Sequence, residues 1–292
     1  MHIDPNHLAA LSAVLRLGSF DLAAHALHVT PSAISQRIKA LEERIGASVV
    51  HRGQPCEATP IGARLAKHAE DIGLLHGALM RDLGLERDQT PSRLRIAVNA
   101  DSLATWFVTA MADVDGILFD LVLDDQDHSA EWLRRGEVSA AVTALQSPIV
   151  GCDMHALGAL PYIATAHPDF IKRWFADGVT AQSIRRAPCL TFNQKDQLQR
   201  RWIEHNIGEG LVPPEHYLPS SQAFVDAALS GVGWGMNPAL LVIGHLEHGT
   251  LQPLIPDSTL SVPLSWQVSR VMAPALAPVT KAVLKSARQY LN

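Results

Sequence analysis

The apolar positions of the first ninety residues fall into short helical stripes. Leu8, Leu11 and Leu15 keep helical spacing, and Gly18 stands where a left-handed residue closes a helix. Ser19 can cap a second helix, Phe20 to Leu27, that buries Phe20, Ala23, Ala24 and Leu27. After the turn His28-Val29-Thr30 comes a sharp start, with Thr30 as N-cap and Pro31 at the first helical position, where its missing N–H costs nothing. The third helix runs to Gly46, and Ile34, Ile38, Leu41 and Ile45 recur at spacings of four, three and four. One stripe is buried. The opposite face, with Ser32, Ser35, Gln36, Arg37 and Lys39, is free. Ser48 to Arg52 then reads as a strand, Gly53-Gln54-Pro55 as a turn and Glu57-Ala58-Thr59 as its return, a wing with Arg52 at the tip.

Thr59 and Pro60 open another helix, and no further proline follows before Pro91. Leu65, Ala69, Ile72, His76, Leu79 and Leu83 step by four, three, four, three and four, a coiled-coil seam with one polar position. A helix bridging two domains has little of its own chain to cover such a seam, so a second copy of the chain is the expected partner.

From Ser92 onward strands alternate with helices. Leu94–Val98, Ile117–Leu123 and Val138–Thr143 read as strands, with helices at Ser102–Ala112 and Ser129–Arg135 between them. A second set follows: Cys189–Phe192, a helix from Gln197 to Asn206, a strand near Tyr217, a helix from Ser221 to Ser230, and Gly233–Met236. Such alternation predicts a parallel sheet with helices on both faces, built as two α/β halves around a cleft. Ligands in such folds lie beyond the carboxyl ends of the strands. Asn99, Ala100, Asp101 and Ser102 follow the first strand, Thr143 ends the third, and Ser221 opens a helix of the second half. Free N–H groups and hydroxyls there suit a carboxylate. Asp124 and Asp125, at the end of the second strand, suit an ammonium or guanidinium, and Trp106 offers a flat wall for an aliphatic chain. The expected division is 1–58 for the head, 59–90 for the linker helix and 91–292 for the sensor, whose second subdomain spans 163–265.

Composition changes this picture in one respect. A formal net charge of −5 argues against nucleic acid, yet between Thr30 and Lys67 six basic residues face three acids, a local excess of three positive charges. That asymmetry permits a DNA-binding head on an acidic protein. Gln can pair with adenine and Arg with guanine, while Thr30, Ser32, Ser35 and the helix N-terminus that Pro31 opens hold phosphates, and Lys39 and Arg52 add charge. The three cysteines Cys56, Cys152 and Cys189 lie far apart, which argues against a zinc site and a disulfide framework. The start of the chain lacks a basic segment followed by an apolar one, so a cytoplasmic location is expected.

The run Gly18-Ser19-Phe20, Ala23-Ala24 and Leu27 through Glu42, continued by Arg52 and Thr59-Pro60-Ile61-Gly62, resembles the DNA-binding signature of LysR-type regulators. The wing departs from that pattern, with Val49-Val50-His51 where the family carries a bulky Leu-Phe. In the sensor, Ala97 through Phe107, Leu133-Arg134-Arg135-Gly136-Glu137 and Gly158-Ala159-Leu160 resemble the branch that controls lysine and arginine export. The resemblance implies an all-α winged helix-turn-helix with a long linker helix and a periplasmic-binding-protein-like, two-lobed α/β effector domain. It further implies double-stranded DNA and lysine or arginine as partners, without choosing between the two, and a homodimer through the linker helix, dimer against tetramer left open.

Catalysis is not expected. Fourteen histidines form no H-E-x-x-H, there is no G-x-S-x-G elbow, and Gly231-Val232-Gly233-Trp234-Gly235 leads into a strand instead of following one. No cofactor and no metal site are expected either. The alternative within the DNA-binding class is a nucleoid-architectural or replication-origin binder without effector control.

Overall fold

The computed structural model describes residues 3–85, 91–124 and 129–291. Its head is three helices, Pro5–Leu17, Phe20–Ala26 and Pro31–Ile45, followed by the two-stranded wing Val50–His51 and Glu57–Ala58. Each helix starts where an oxygen of the preceding side chain can take an orphaned N–H. Ser19 accepts from the Leu22 N–H at 3.4 Å and Thr30 from the Ala33 N–H at 3.2 Å. Gly18 and Gly46 close their helices at φ of 66° and 77°. The stripe Ile34, Ile38 and Leu41 packs with Leu11, Val14, Ala23 and Ala24 into a core from which water is excluded. Phe20 and Leu27 are only partly covered. Despite their small size, Val49 and Val50 fill the wing side of this core.

The linker helix Pro60–Asp82 begins underneath the wing. Thr59 caps it, accepting from the Gly62 N–H at 3.0 Å and donating to the Ser48 carbonyl at 2.8 Å. Gly62 is required there: a Cβ would stand 1.8 Å from the Val49 carbonyl oxygen.

The parallel sheet expected for the sensor is corrected to a mixed one. Only Ile117–Asp124, Ser92–Asn99 and Ala140–Thr143 run parallel. Two long strands, Cys152–Ala166 and Leu260–Ser269, continue the same sheet antiparallel and extend into the second lobe. There Cys152–Ala166 also pairs with Gly235–Pro238 and Gln252–Pro253. Cys189–Thr191 and Glu215–Tyr217 form a small parallel sheet beside them. The long strands thus cross between lobes, which leaves a cleft at the carboxyl ends of the parallel strands. The main core holds Leu94, Ile96, Val98, Trp106, Phe107 and Trp266, and Leu74 of the linker helix joins it. The last helix, Ala277–Tyr290, covers this core from one side.

Candidate DNA-binding face and ligand cleft

On the third helix Ser32, Gln36 and Lys39 are exposed, and Ser35 is half-buried on the same face, at positions one turn apart. Arg37 is half-buried and stands off to the side of that row. Thr30 and Pro31 are exposed at the helix start, and the Thr30 and Ser32 hydroxyls share a hydrogen bond of 2.9 Å. Lys39 pairs loosely with Glu43 at 3.7 Å, both largely in water, so its charge stays open to a phosphate. Arg52 does not stand free at the wing tip. Its guanidinium lies 5.2 Å from the centroid of the Phe20 ring, which directs the wing's charge toward the start of the second helix. The face is a helix N-terminus with a row of short polar side chains, a lysine and a stacked arginine beside it. That geometry fits a major groove with its flanking phosphates.

The second site lies between the lobes. The strand Ser92–Asn99 ends in Asn99, and Ala100–Ser102 turns the chain into a helical stretch whose middle, Leu103–Phe107, is π-helical. Asp101 therefore points across the cleft. One carboxylate oxygen accepts from the Tyr162 hydroxyl at 2.8 Å and the other from the Ser221 hydroxyl at 2.5 Å. Tyr162 belongs to a crossing strand and Ser221 to the second lobe, so one acid joins all three elements. Ser221 is available for this because Ser220 caps its helix, accepting from the Ala223 N–H at 3.3 Å. Close by, the Ser102 hydroxyl is fully buried and meets no hydrogen-bond partner among the described residues. A buried hydroxyl left so costs about 1–3 kcal/mol, and a ligand group in the cleft is one way to satisfy it.

The other expected residues divide. Asn99 is buried at the strand end, and in the register of the sheet its neighbour is Asp124, which sets that backbone position beside the cleft. Asp125 and the Asp124 side chain lie outside the described residues. Thr143 is fully buried, hydrogen-bonded to Ser265 at 3.2 Å, and forms floor more than lining. Trp106 is not brought to the cleft surface. It has no exposed area and stands edge-on to Phe107, with centroids 5.6 Å apart, inside the main core. It lies in the π-helical stretch Leu103–Phe107, whose buried residues are Trp106 and Phe107. Tyr162 was missed, although a single tyrosine in the run Leu157–Ala166 is a signal, because a buried phenol needs a partner. No group of His, Cys, Asp or Glu that could hold a metal occurs among the described residues.

A winged helix-turn-helix carried by a long helix on a two-lobed domain with a polar cleft defines an effector-controlled DNA-binding protein. Residues 5–63 match the bacterial regulatory helix-turn-helix protein, lysR family, and residues 87–288 match the LysR substrate binding domain. The chain belongs to the LysR family. It is 40% identical over 285 residues to the HTH-type transcriptional regulator LysG of Mycobacterium tuberculosis, covering 98% of this chain and 94% of that one. To the HTH-type transcriptional regulator ArgP of Pseudomonas fluorescens it is 41% identical over 288 residues, 97% of each chain. Among solved structures, ArgP from M. tuberculosis matches with a TM-score of 0.80 at 40% identity, over 100% of this chain and 99% of that one. Full-length LysG from Corynebacterium glutamicum with bound effector Arg matches with a TM-score of 0.67 at 33% identity, over 99% of both.

Proposed function

We propose that this chain is a sequence-specific transcriptional regulator that binds duplex DNA as a homodimer and responds to a basic amino acid, arginine or lysine. The observation that carries the reading is Asp101, a carboxylate held between the two lobes by Tyr162 and Ser221. An ionised carboxylate at the junction of the lobes favours a cation of the ligand through charge-assisted hydrogen bonds. The full-length relative with bound Arg supports a ligand of that charge. Asn99, Ala100, Ser102 and Thr143 belong to the same pocket in this reading, and Asp124 or Asp125 takes the second cation. Thr30, Pro31, Ser32, Ser35, Gln36, Arg37, Lys39 and Arg52 meet DNA.

The dimer contact falls on the lower half of the linker helix. Leu65 packs against the head's core and Ala69 is half-buried, so the upper seam is used within the chain. Ile72, Leu75, Leu79 and Leu83 are exposed on one face, with Leu79 and Leu83 at 52% and 57%. Burying each leucine in a second copy is worth about 1.5–3 kcal/mol. In this reading residues 1–58 act as the head, 59–90 as the dimerising linker, whose helix is Pro60–Asp82, and 91–292 as the sensor, with the second lobe at 163–265. No helix among the described residues is long and apolar enough to cross a membrane, and we place the protein in the cytoplasm.

Thermal melting with millimolar arginine, lysine or leucine tests the effector, since a ligand that binds only the folded state raises the melting temperature. A rise with arginine or lysine and none with leucine is expected; no rise with either basic amino acid overturns the effector. Genome-wide footprinting tests the regulator. Discrete sites upstream of an exporter gene support it, and broad A/T-rich coverage supports the architectural alternative.

A further inference from the structure

Where the linker helix crosses the sensor, the contact is polar along its upper half. Leu74 is buried with Leu94 and Ile96, but one and two turns nearer the head stand Glu70, Asp71 and Lys67. The Lys67 ammonium donates to Asp71 Oδ1 at 2.6 Å and to the Ser139 hydroxyl at 2.8 Å, and that hydroxyl donates to Asp71 Oδ1 at 2.9 Å. Each side of the triangle is a hydrogen bond, and the single Ser139 hydroxyl proton goes to Asp71. The Lys67 side chain is 10% exposed, Asp71 24% and Ser139 1%, so the triangle is mostly withdrawn from water while its edge opens to it. Arg93 and Arg95 stand beside it on the first sensor strand, each 3.8 Å from Asp120.

Three features set this cluster apart from a surface ion pair. It joins residues 68 and 72 positions apart in the chain, so it is a tie between the linker helix and the sensor. It is flanked by open space: a depression of about 320 Å³ lies between it and Ser12 and Arg16 of the head, and another of about 470 Å³ lies between Pro60, Arg64 and Arg135. Both are open grooves, so on these two sides the linker helix is not clamped by packed side chains. Finally, Ser139 immediately precedes the strand Ala140–Thr143, and Arg93 and Arg95 sit at the start of Ser92–Asn99. Both strands run parallel from this cluster to the cleft, a span of about 13 Å for the shorter one, and end at Thr143 and at Asn99 beside Asp101.

We infer that the Lys67, Asp71 and Ser139 triangle is the joint through which the state of the cleft reaches the DNA-binding head. A shift of either strand along its axis moves Ser139 relative to Asp71. The ammonium and carboxylate are largely out of water, so losing the hydroxyl leaves them underpaired, and the helix resettles. An apolar contact would tolerate the same small shift. The three residues position the head and touch neither ligand nor DNA. This inference rests on the cleft being the amino-acid site.

Amide hydrogen exchange of the full-length protein over residues 60–78, with and without L-arginine, tests it, alongside arginine affinity by calorimetry. Without arginine, Ser139→Ala and Asp71→Asn are expected to speed exchange there at least tenfold, leaving residues 31–45 as in the wild type. The double variant Lys67→Met with Asp71→Leu replaces the ion pair by an apolar contact and is expected to keep exchange slow. With arginine, the wild type changes its exchange over 60–78, whereas all three variants bind arginine with unchanged affinity and show no change. A purely structural tie would not remove that response in the double variant. Should variants with intact arginine binding respond like the wild type, the joint is overturned. Failure of arginine to bind the wild type removes the effector reading alone; the ligand-free comparison still decides the joint, and unaltered exchange in both Ser139→Ala and Asp71→Asn overturns it.

Discussion

The Ser221 hydroxyl donates to the Asp101 carboxylate at 2.5 Å, a hydrogen bond between residues 120 positions apart that spans the two lobes. A charge-assisted bond is roughly twice as strong as a neutral one, so Asp101 both draws the lobes together and marks where a cation is favoured. Asp101→Asn keeps the shape and removes the charge. The rise in melting temperature produced by arginine is expected to fall by more than half in this variant. An undiminished rise would assign the cation elsewhere, to Asp124 or Asp125.

On the recognition helix, exposure ranks two side chains. Gln36 is open to solvent and Arg37 is half-buried. Gln36→Ala is expected to weaken operator binding by about 1–3 kcal/mol at fixed salt and to relax sequence preference at one base pair. Arg37→Ala is expected to weaken operator binding as well, with a lower melting temperature because part of its stem is packed. Fluorescence anisotropy with a footprinted operator reads the first, and melting curves read the second. Full affinity in both variants would move base reading off this helix.

The exposed apolar face of the linker helix carries a quantitative expectation. Leu79→Asp with Leu83→Asp places two charges where a second copy packs and is expected to cost several kcal/mol of association. Sedimentation at low micromolar concentration should show monomers whose head and sensor melt normally. A double variant that stays dimeric would exclude this face as the contact.

Burial lifts the Glu70 carboxyl above its ordinary 4.5, against the opposing pull of Lys67, Arg93 and Arg95. As pH rises, the unfolded chain gives up this proton first, so the ionised group weighs against folding above its raised value and not below the ordinary one. Glu70→Gln is expected to melt above the wild type at pH 7 and to lose that advantage as pH falls below about 4.5. A difference that does not vary with pH would contradict the assignment.

The head was legible because each of its elements carries its own punctuation: Ser19, Thr30 and Thr59 as caps, Gly18 and Gly46 as ends. Local rules suffice where contacts are local. The crossing strands Cys152–Ala166 and Leu260–Ser269 were not legible as strands. Gly158, Pro161 and Pro263 interrupt their pattern, and their side chains face one lobe and then the other, which erases a simple alternation. Asp101 and Ser221 could be placed at the cleft from strand ends alone, but their bond to each other depends on Tyr162 and a long-range register. Trp106 was expected at the cleft and lies in the core, because strand ends place a segment near a cleft without saying which of its side chains face inward. The linker helix itself was legible from its spacing, yet Leu65 turned out to serve the head, since periodicity does not say which neighbour covers a stripe.

No side chain fits between Gly62 and the Val49 carbonyl, and Thr59 bonds the Ser48 carbonyl, so wing and linker helix move together. From Pro60 to Asp71 that piece is a lever arm: at about 1.5 Å per residue it rises about 17 Å above the joint. A tilt of about 10° at the joint carries its head end through about 3 Å, close to one base-pair step of about 3.4 Å. A small change at the sensor thus arrives at the duplex already scaled to the unit in which operators are spaced.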